Sequence, residues 1–212
     1  MRVKTLLLKI AWAIVLALFI LGSDARAQSP NSGYSQQMKN FAKALSEVGM
    51  TFDAPQEFKE VTAVNTREFP FNYAMEMPGQ NFEIWFKVSD KKADEKFIKQ
   101  NHLRIPTDSA YNAIALRQAS IFADDKALLP RNIPNEILTR YSADAGKIYL
   151  LNLKDLAVTK HYKYALLIVL AKSNTGTLLA VCFTNNKGPE FFKNMYQASN
   201  CLKFAPATKA QN

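Results

Sequence analysis

Histidine, cysteine and glycine are all scarce in this chain. Its 212 residues include two histidines, two cysteines and seven glycines. A zinc site needs His or Cys ligands at short, patterned spacing, and neither His102 nor His161 has a second His or a Cys nearby. Serine-hydrolase elbows and phosphate-binding loops need clustered glycines, which are missing as well. We therefore expect no catalytic, metal or cofactor site of a recognisable kind.

The remaining polar residues offer one weak candidate site. Adjacent acids such as Asp94 and Glu95 do not face each other on a helix, so they are poor acid–base pairs. His102 and Arg104 precede a predicted helix whose first turn contains Asp108. An anion could bind these side chains together with the helix N-terminus. His102, Arg104 and Asp108 are thus the candidate anion site, and the alternative is an ordinary polar connection.

The first 27 residues have the pattern of a cleavable secretory signal peptide. A basic start precedes the apolar run Ile10–Leu21, which is shorter than the roughly 20 residues that a membrane-spanning helix needs. Small residues then flank Arg26, so we expect cleavage between Ala27 and Gln28. The mature protein would work in the bacterial periplasm or outside the cell, with no membrane span. The alternative is an uncleaved membrane anchor.

Removal of the signal peptide makes a strongly basic chain mildly basic. The whole chain has 27 bases and 18 acids, a net charge of +9. The signal contains four bases and one acid, which leaves 23 bases and 17 acids, a net charge of +6. This excess is spread along the chain, and export argues against nucleic acid as a partner. An envelope protein or a small ligand fits better.

The length remaining after cleavage suits one domain, for which we expect residues 28–212. Its folded core should span about 34–204, followed by a frayed tail. The two cysteines, Cys182 and Cys201, are even in number, and an oxidising compartment favours a disulfide between them. Such a bridge would close a loop of about 20 residues and add about 3 kcal/mol. The alternative is two buried free thiols.

Apolar spacing predicts an α+β fold. The clearest pattern consists of two alternating segments, Phe69–Met77 and Phe82–Val88, on either side of a Pro-Gly turn. This hairpin should place all nine of its apolar side chains on one face and leave the other face partly solvated. Further strands are predicted at Lys147–Leu153, Tyr162–Ala171 and Thr177–Thr184, with Cys201–Phe204 as an edge strand beside Cys182. Helices are predicted at Tyr34–Val48, at Asp90–Asn101 with Asp90 as N-cap, after Pro106 with Thr107 or Asp108 as cap, at Asn135–Tyr141 and from Gly188.

Sequential hairpins imply a largely antiparallel β-sheet with helices packed on both faces. The stretch TFDAPQEFKEV, Thr51–Val61, resembles the opening of PsbP-like domains, and the later order of elements is similar over roughly residues 50–204. The chain also looks like small exported proteins of Bacteroidetes-type bacteria. The resemblance implies an α/β/α sandwich and a non-enzymatic accessory or binding role, with no family site that maps onto numbered positions here.

Three functional hypotheses follow. The first is an exported, non-catalytic binding or accessory module. The second is an exported, hydrolase-like enzyme whose site is assembled from distant loops. The third is an interaction module of an envelope assembly that uses Trp85 or the basic surface.

Overall fold

The computed structural model of the chain describes residues 34–124 and 128–206. The predicted signal peptide, its cleavage point between Ala27 and Gln28, and the end of the tail lie outside these ranges. The described helices are α1 (Gln36–Glu47), α2 (Lys91–Gln100), α3 (Ala110–Phe122), α4 (Asn135–Tyr141) and α5 (Pro189–Ser199). The described strands are β1 (Met50–Phe52), β2 (Lys59–Val61), β3 (Tyr73–Glu76), β4 (Glu83–Asp90), β5 (Arg131–Asn132), β6 (Ala145–Asn152), β7 (Tyr164–Lys172), β8 (Gly176–Thr184) and β9 (Leu202–Phe204).

Seven strands form one antiparallel sheet in the order β2-β3-β4-β8-β7-β6-β5, and β1 pairs with β9 in a separate two-stranded sheet. Helices α1, α4 and α5 pack on one face of the large sheet, and α2 and α3 pack on the other. Strands β7 and β8 are apolar on both faces because both faces are covered. The predicted α+β fold, with a largely antiparallel sheet between helices, is confirmed.

Local signals explain where two helices begin. The Ser35 hydroxyl accepts a hydrogen bond of 2.9 Å from the backbone N–H of Met38 and caps α1. The predicted cap of α2 is confirmed, since the Asp90 carboxylate accepts a hydrogen bond of 2.8 Å from the N–H of Ala93. The predicted cap of α3 is wrong. A 3₁₀ turn at Thr107–Ser109 precedes this helix, and no side chain caps it.

The predicted hairpin forms, in the register that a four-residue loop gives. Tyr73 pairs with Phe86, and the N–H of Met77 donates to the carbonyl of Phe82 at 3.2 Å. Seven of the nine apolar side chains lie on one face, but Phe69 and Phe71 pack in the opposite core. The prediction for these two is wrong because the chain bends before β3 begins. The N–H of Phe71 is bonded to the Phe69 carbonyl, so strand alternation does not extend back to them.

The second face of the hairpin is far less solvated than its sequence suggests. Trp85 and Glu83 alternate with the apolar positions, yet only 0% and 1% of their surfaces are exposed. The aromatic ring of Phe122 on α3 covers this face and lies 6.4 Å from that of Trp85. Lys87 is the next residue on the same face, and it is only partly buried.

The predicted disulfide is not formed, and Cys182 and Cys201 are buried free thiols. The prediction required the strand after Cys201 to pair beside Cys182, but β8 has no free edge because β4 and β7 flank it. Strand β9 pairs with β1 instead. The Cys201 thiol donates to the carbonyl of Ala198 at 2.7 Å. Burial raises the pKa of both thiols, which makes them poor nucleophiles at neutral pH.

Candidate functional site

A cleft of about 590 Å³ opens beside α2 and α3 on the face of the sheet that these helices cover. Three cationic side chains reach it from separate elements: Lys87 from β4, Arg117 from α3 and Arg67 from the loop before β3. Gln100 and Asn101, at the end of α2, add amide groups to its lining. We call this cavity, defined by Arg67, Lys87, Gln100, Asn101, Arg117 and Gln118, the cationic cleft.

Lys87 is the most buried of the three cations, because it belongs to an inner strand of the sheet. Burial lowers the pKa of its ammonium group. The charge of Asp94 partly offsets this shift, and the charge of Arg117 adds to it. Partial desolvation of a charged ammonium group costs free energy in the free protein, and a bound anion would offset this cost.

Arg117 is held in position by neighbouring groups on α2. Its guanidinium donates to the Asn101 side-chain oxygen at 2.5 Å and lies 5.9 Å from the ring centroid of Phe97. The Asn101 amide in turn donates to the carbonyl of Phe97 at 2.8 Å. One N–H of the guanidinium is therefore used in orienting the side chain, and Arg117 forms no ion pair with an acid of the described ranges.

Arg67 lies at the tip of a tight loop that is fastened to α3. The N–H of Thr66 donates to the carbonyl of Phe69 at 2.9 Å, and this bond closes the loop. The buried Gln118 amide donates to the carbonyl of Glu68 at 3.3 Å. Glu68 is the one acid in the lining, against three bases. The cleft thus has an excess of positive charge in a concave space, which suits an anion.

A buried acid lies on α2 next to this arrangement. Asp94 is 4% exposed, and one of its carboxylate oxygens accepts a hydrogen bond of 2.8 Å from the hydroxyl of Thr177. Its other oxygen has no hydrogen-bond partner within the described ranges. Burial raises the pKa of Asp94 to about 6, although Thr177 and Lys87 both favour its ionised form.

The three residues of the anion site predicted from the sequence lie in the segment between α2 and α3. His102, Arg104 and Asp108 are all exposed, and within the described ranges no hydrogen bond or ion pair joins any two of them. The Asp108 carboxylate accepts a hydrogen bond of 3.0 Å from the N–H of Asn174, in the β7–β8 turn. His102 has a positive φ of 52° just after α2. As an anion site these three residues remain a prediction.

Sequence reasoning missed Lys87, Arg117 and Arg67, although one signal was present. Lys87 follows Glu83 and Trp85 on the second face of the predicted hairpin, where a lysine beside a tryptophan suggests a partly covered surface. Nothing in the spacing of Arg117 or Arg67 links either residue to Lys87, because they lie on elements far apart in the chain.

A second charged cluster lies at the other end of β4. The buried carboxylate of Glu83 accepts hydrogen bonds from the Trp85 indole N–H at 2.7 Å and from the Lys160 ammonium at 2.6 Å. Burial, followed by the charges of Glu83 and Glu76, raises the pKa of Tyr162 to about 12. Both carboxylate oxygens of Glu83 are bonded, so we assign this cluster to stability.

We expect Lys160→Met to destabilise the protein by about 2 kcal/mol, because it leaves the buried Glu83 carboxylate without its counter-charge. The cost should stay below that of a fully buried pair, since the Lys160 side chain is 51% exposed. Urea denaturation measures it. Adding Glu83→Gln removes the orphaned charge, so the double variant should be more stable than Lys160→Met alone. A double variant less stable than either single one would contradict this.

The described residues contain neither a cluster of metal ligands nor a helix that could span a membrane. No three His, Cys, Asp or Glu side chains there are grouped so as to hold a metal ion. No helix in residues 34–124 and 128–206 is long and apolar enough to span a bilayer. Comparison with known protein families and with curated proteins finds no match to this chain.

Proposed function

We propose that the chain is exported after removal of residues 1–27 and binds a small anionic ligand in the cationic cleft, without catalysing a reaction. The signal-like N-terminus supports export. The observation that carries the binding role is the convergence of Lys87, Arg117 and Arg67 on one concave space that contains a single acid.

Binding groups, rather than reacting groups, dominate this cleft. Arg117 is oriented by Asn101, as expected of a residue that receives a carboxylate or a phosphate. The acid with the shifted pKa, Asp94, interacts with Lys87 and Thr177 and not with His102 or His161. A hydrolase remains the alternative, and assays with ester, phosphate and glycoside substrates check it.

The test is an NMR titration of the purified protein with benzoate and, separately, with inorganic phosphate. We expect backbone amide shifts concentrated at residues 97–101 and 114–121, which border the cleft. Arg117→Gln should weaken binding by about tenfold to a hundredfold, the effect of losing a hydrogen bond to a charged group. Because Arg117 is exposed, this variant should keep the fold.

Arg104→Gln is the matched control, because it removes the same charge from the site that the sequence predicted. We expect it to leave both affinities unchanged. Amide shifts centred on residues 102–108, with binding lost in Arg104→Gln and kept in Arg117→Gln, would assign the ligand to that site and overturn the proposal. Failure of both anions to bind would also overturn it.

A further inference from the structure

A second cavity adjoins the cationic cleft. This groove has a volume of about 1450 Å³ and runs over the outer side of α3. It shares Arg67, Glu68, Phe97, Asn101, Arg117 and Ile121 with the lining of the cleft, so the two spaces lie side by side. We call the part beyond the cleft, defined by Leu103, Ala113, Leu116, Leu156, Ala157 and Val158, the apolar groove.

The apolar groove gives α3 a second hydrophobic side. The inner side of this helix is buried against the sheet through Ile114, Ala115 and Phe122. Leu116 lines the groove on the outer side and is 49% exposed. Leu156 and Val158, from the segment after β6, form the facing wall. This surface is concave and apolar, which is typical of a binding groove.

Charge is distributed unevenly along the combined space. Lys87, Arg117 and Arg67 surround the cleft end. The fourth base, Lys154, lines the groove, and its ammonium group is bonded to the carbonyls of Ser120 and Ile121 at the end of α3. Three of the four bases therefore surround the cleft end, where Glu68 is the one acid, and the groove beyond them is mainly hydrophobic. An occupant that complements both parts has one anionic group and an apolar chain.

We propose that the ligand of the cationic cleft is a free single-chain amphiphile, an alkyl carboxylate, whose carboxylate binds Arg117 and Lys87 while its chain lies along the apolar groove. This proposal rests on the proposed function and adds the ligand class to it. The carboxylate would accept the donors of Arg117 that Asn101 leaves free. The chain would cover Leu116 and its facing wall, removing apolar surface from water on both partners.

The test is calorimetric titration of the purified protein with butanoate, octanoate, decanoate and dodecanoate, each below its micelle concentration. A fully buried methylene improves affinity about fourfold, and in an open groove we expect about twofold for each one. Dodecanoate should then bind about 16-fold more tightly than octanoate. Dodecanol, which has the same chain without the charge, should bind at least about tenfold more weakly than dodecanoate.

Two leucines with nearly equal exposure provide the matched variants. Leu116 is 49% exposed in the groove, and Leu150 is 50% exposed on β6 and lines neither cavity. Leu116→Gln should weaken dodecanoate binding about fivefold and leave butanoate binding unchanged. Leu150→Gln should change neither. Arg117→Gln should weaken binding of all four carboxylates by a similar factor.

The outcomes separate this inference from the proposed function. Equal affinity for butanoate and dodecanoate, with both weakened by Arg117→Gln, overturns the amphiphile and leaves the anion site standing. Equal affinity for dodecanoate and dodecanol, or no effect of Arg117→Gln, overturns the anion site itself. Binding to anionic phospholipid vesicles without binding to monomeric dodecanoate would assign the groove to a membrane surface and overturn the proposal.

Discussion

Gly176→Ala should destabilise the protein by about 3 kcal/mol or more, the largest effect we expect from a single methyl group here. Gly176 begins β8 with a φ of +158°, opposite Asp90 at the end of β4. A Cβ atom at this position would lie 2.2 Å from the carbonyl oxygen of Ser89. That atom belongs to the backbone of a central strand, so it cannot move aside without breaking the β4–β8 pairing.

Gly79→Ala is the control for the glycine's backbone conformation alone. Gly79 has a positive φ of 76° in the hairpin turn, and a Cβ atom there would meet nothing within 4 Å. We expect a cost of about 1 kcal/mol from the left-handed conformation. Urea denaturation of both variants provides the comparison. Equal losses of unfolding free energy in the two variants would contradict the close approach of β4 and β8 at Gly176.

The contact at Gly176 also matters for the candidate site. Asp90 pairs with Gly176 and caps α2, and the N–H of Lys91 donates to the carbonyl of Thr175 at 2.9 Å. The β7–β8 turn is therefore bound to the start of the helix that forms one side of the cationic cleft. In Gly176→Ala we expect weaker anion binding together with the loss of stability.

The free energy of unfolding should fall by about 2 kcal/mol between pH 4 and pH 7 because of Asp94 alone. The folded state raises the pKa of this carboxyl group from 3.8 to about 6, chiefly through burial. The folded protein then holds the proton more tightly than the unfolded chain does. The stabilisation is complete below about pH 4 and is lost as the pH rises through about 6.

Asp94→Asn isolates this contribution, since the amide does not titrate. We expect the stability difference between the original protein and Asp94→Asn to change by about 2 kcal/mol between pH 4 and pH 7, as measured by urea denaturation at each pH. Thr177→Val removes a hydrogen bond that favours the ionised carboxylate of Asp94. The pH-dependent decrease in unfolding free energy should therefore occur at higher pH in this variant. A difference that does not vary with pH would contradict the raised pKa of Asp94.

Several elements could be predicted because their signals are local. The predicted bounds of α4, Asn135–Tyr141, are those of the structure, and the Asp90 cap of α2 is confirmed. Both depend on interactions within a few residues of the chain. The hairpin could be predicted for the same reason, since period-two alternation on each side of Pro78-Gly79 leaves few registers that bury one face.

The failures share a different cause. Phe69 and Phe71 alternate like strand residues, but a backbone bend places them in the opposite core. Cys201 lies where a returning strand could approach Cys182, but both edges of β8 are already occupied. In the first case a bend in the backbone ended the alternation, and in the second the pairing of distant strands excluded the predicted contact.

The scarcity of histidine, cysteine and glycine by itself argued against metal sites, hydrolase elbows and phosphate-binding loops. Such motifs need those residues at fixed short spacing. The sequence also determined the helices, most strands and the α+β class, because periodicity and capping are local. Only the tertiary structure brought Lys87, Arg117 and Arg67 to one cleft and joined it to an apolar groove. These residues are far apart in the chain, and only the packing of α2 and α3 on the sheet brings them together.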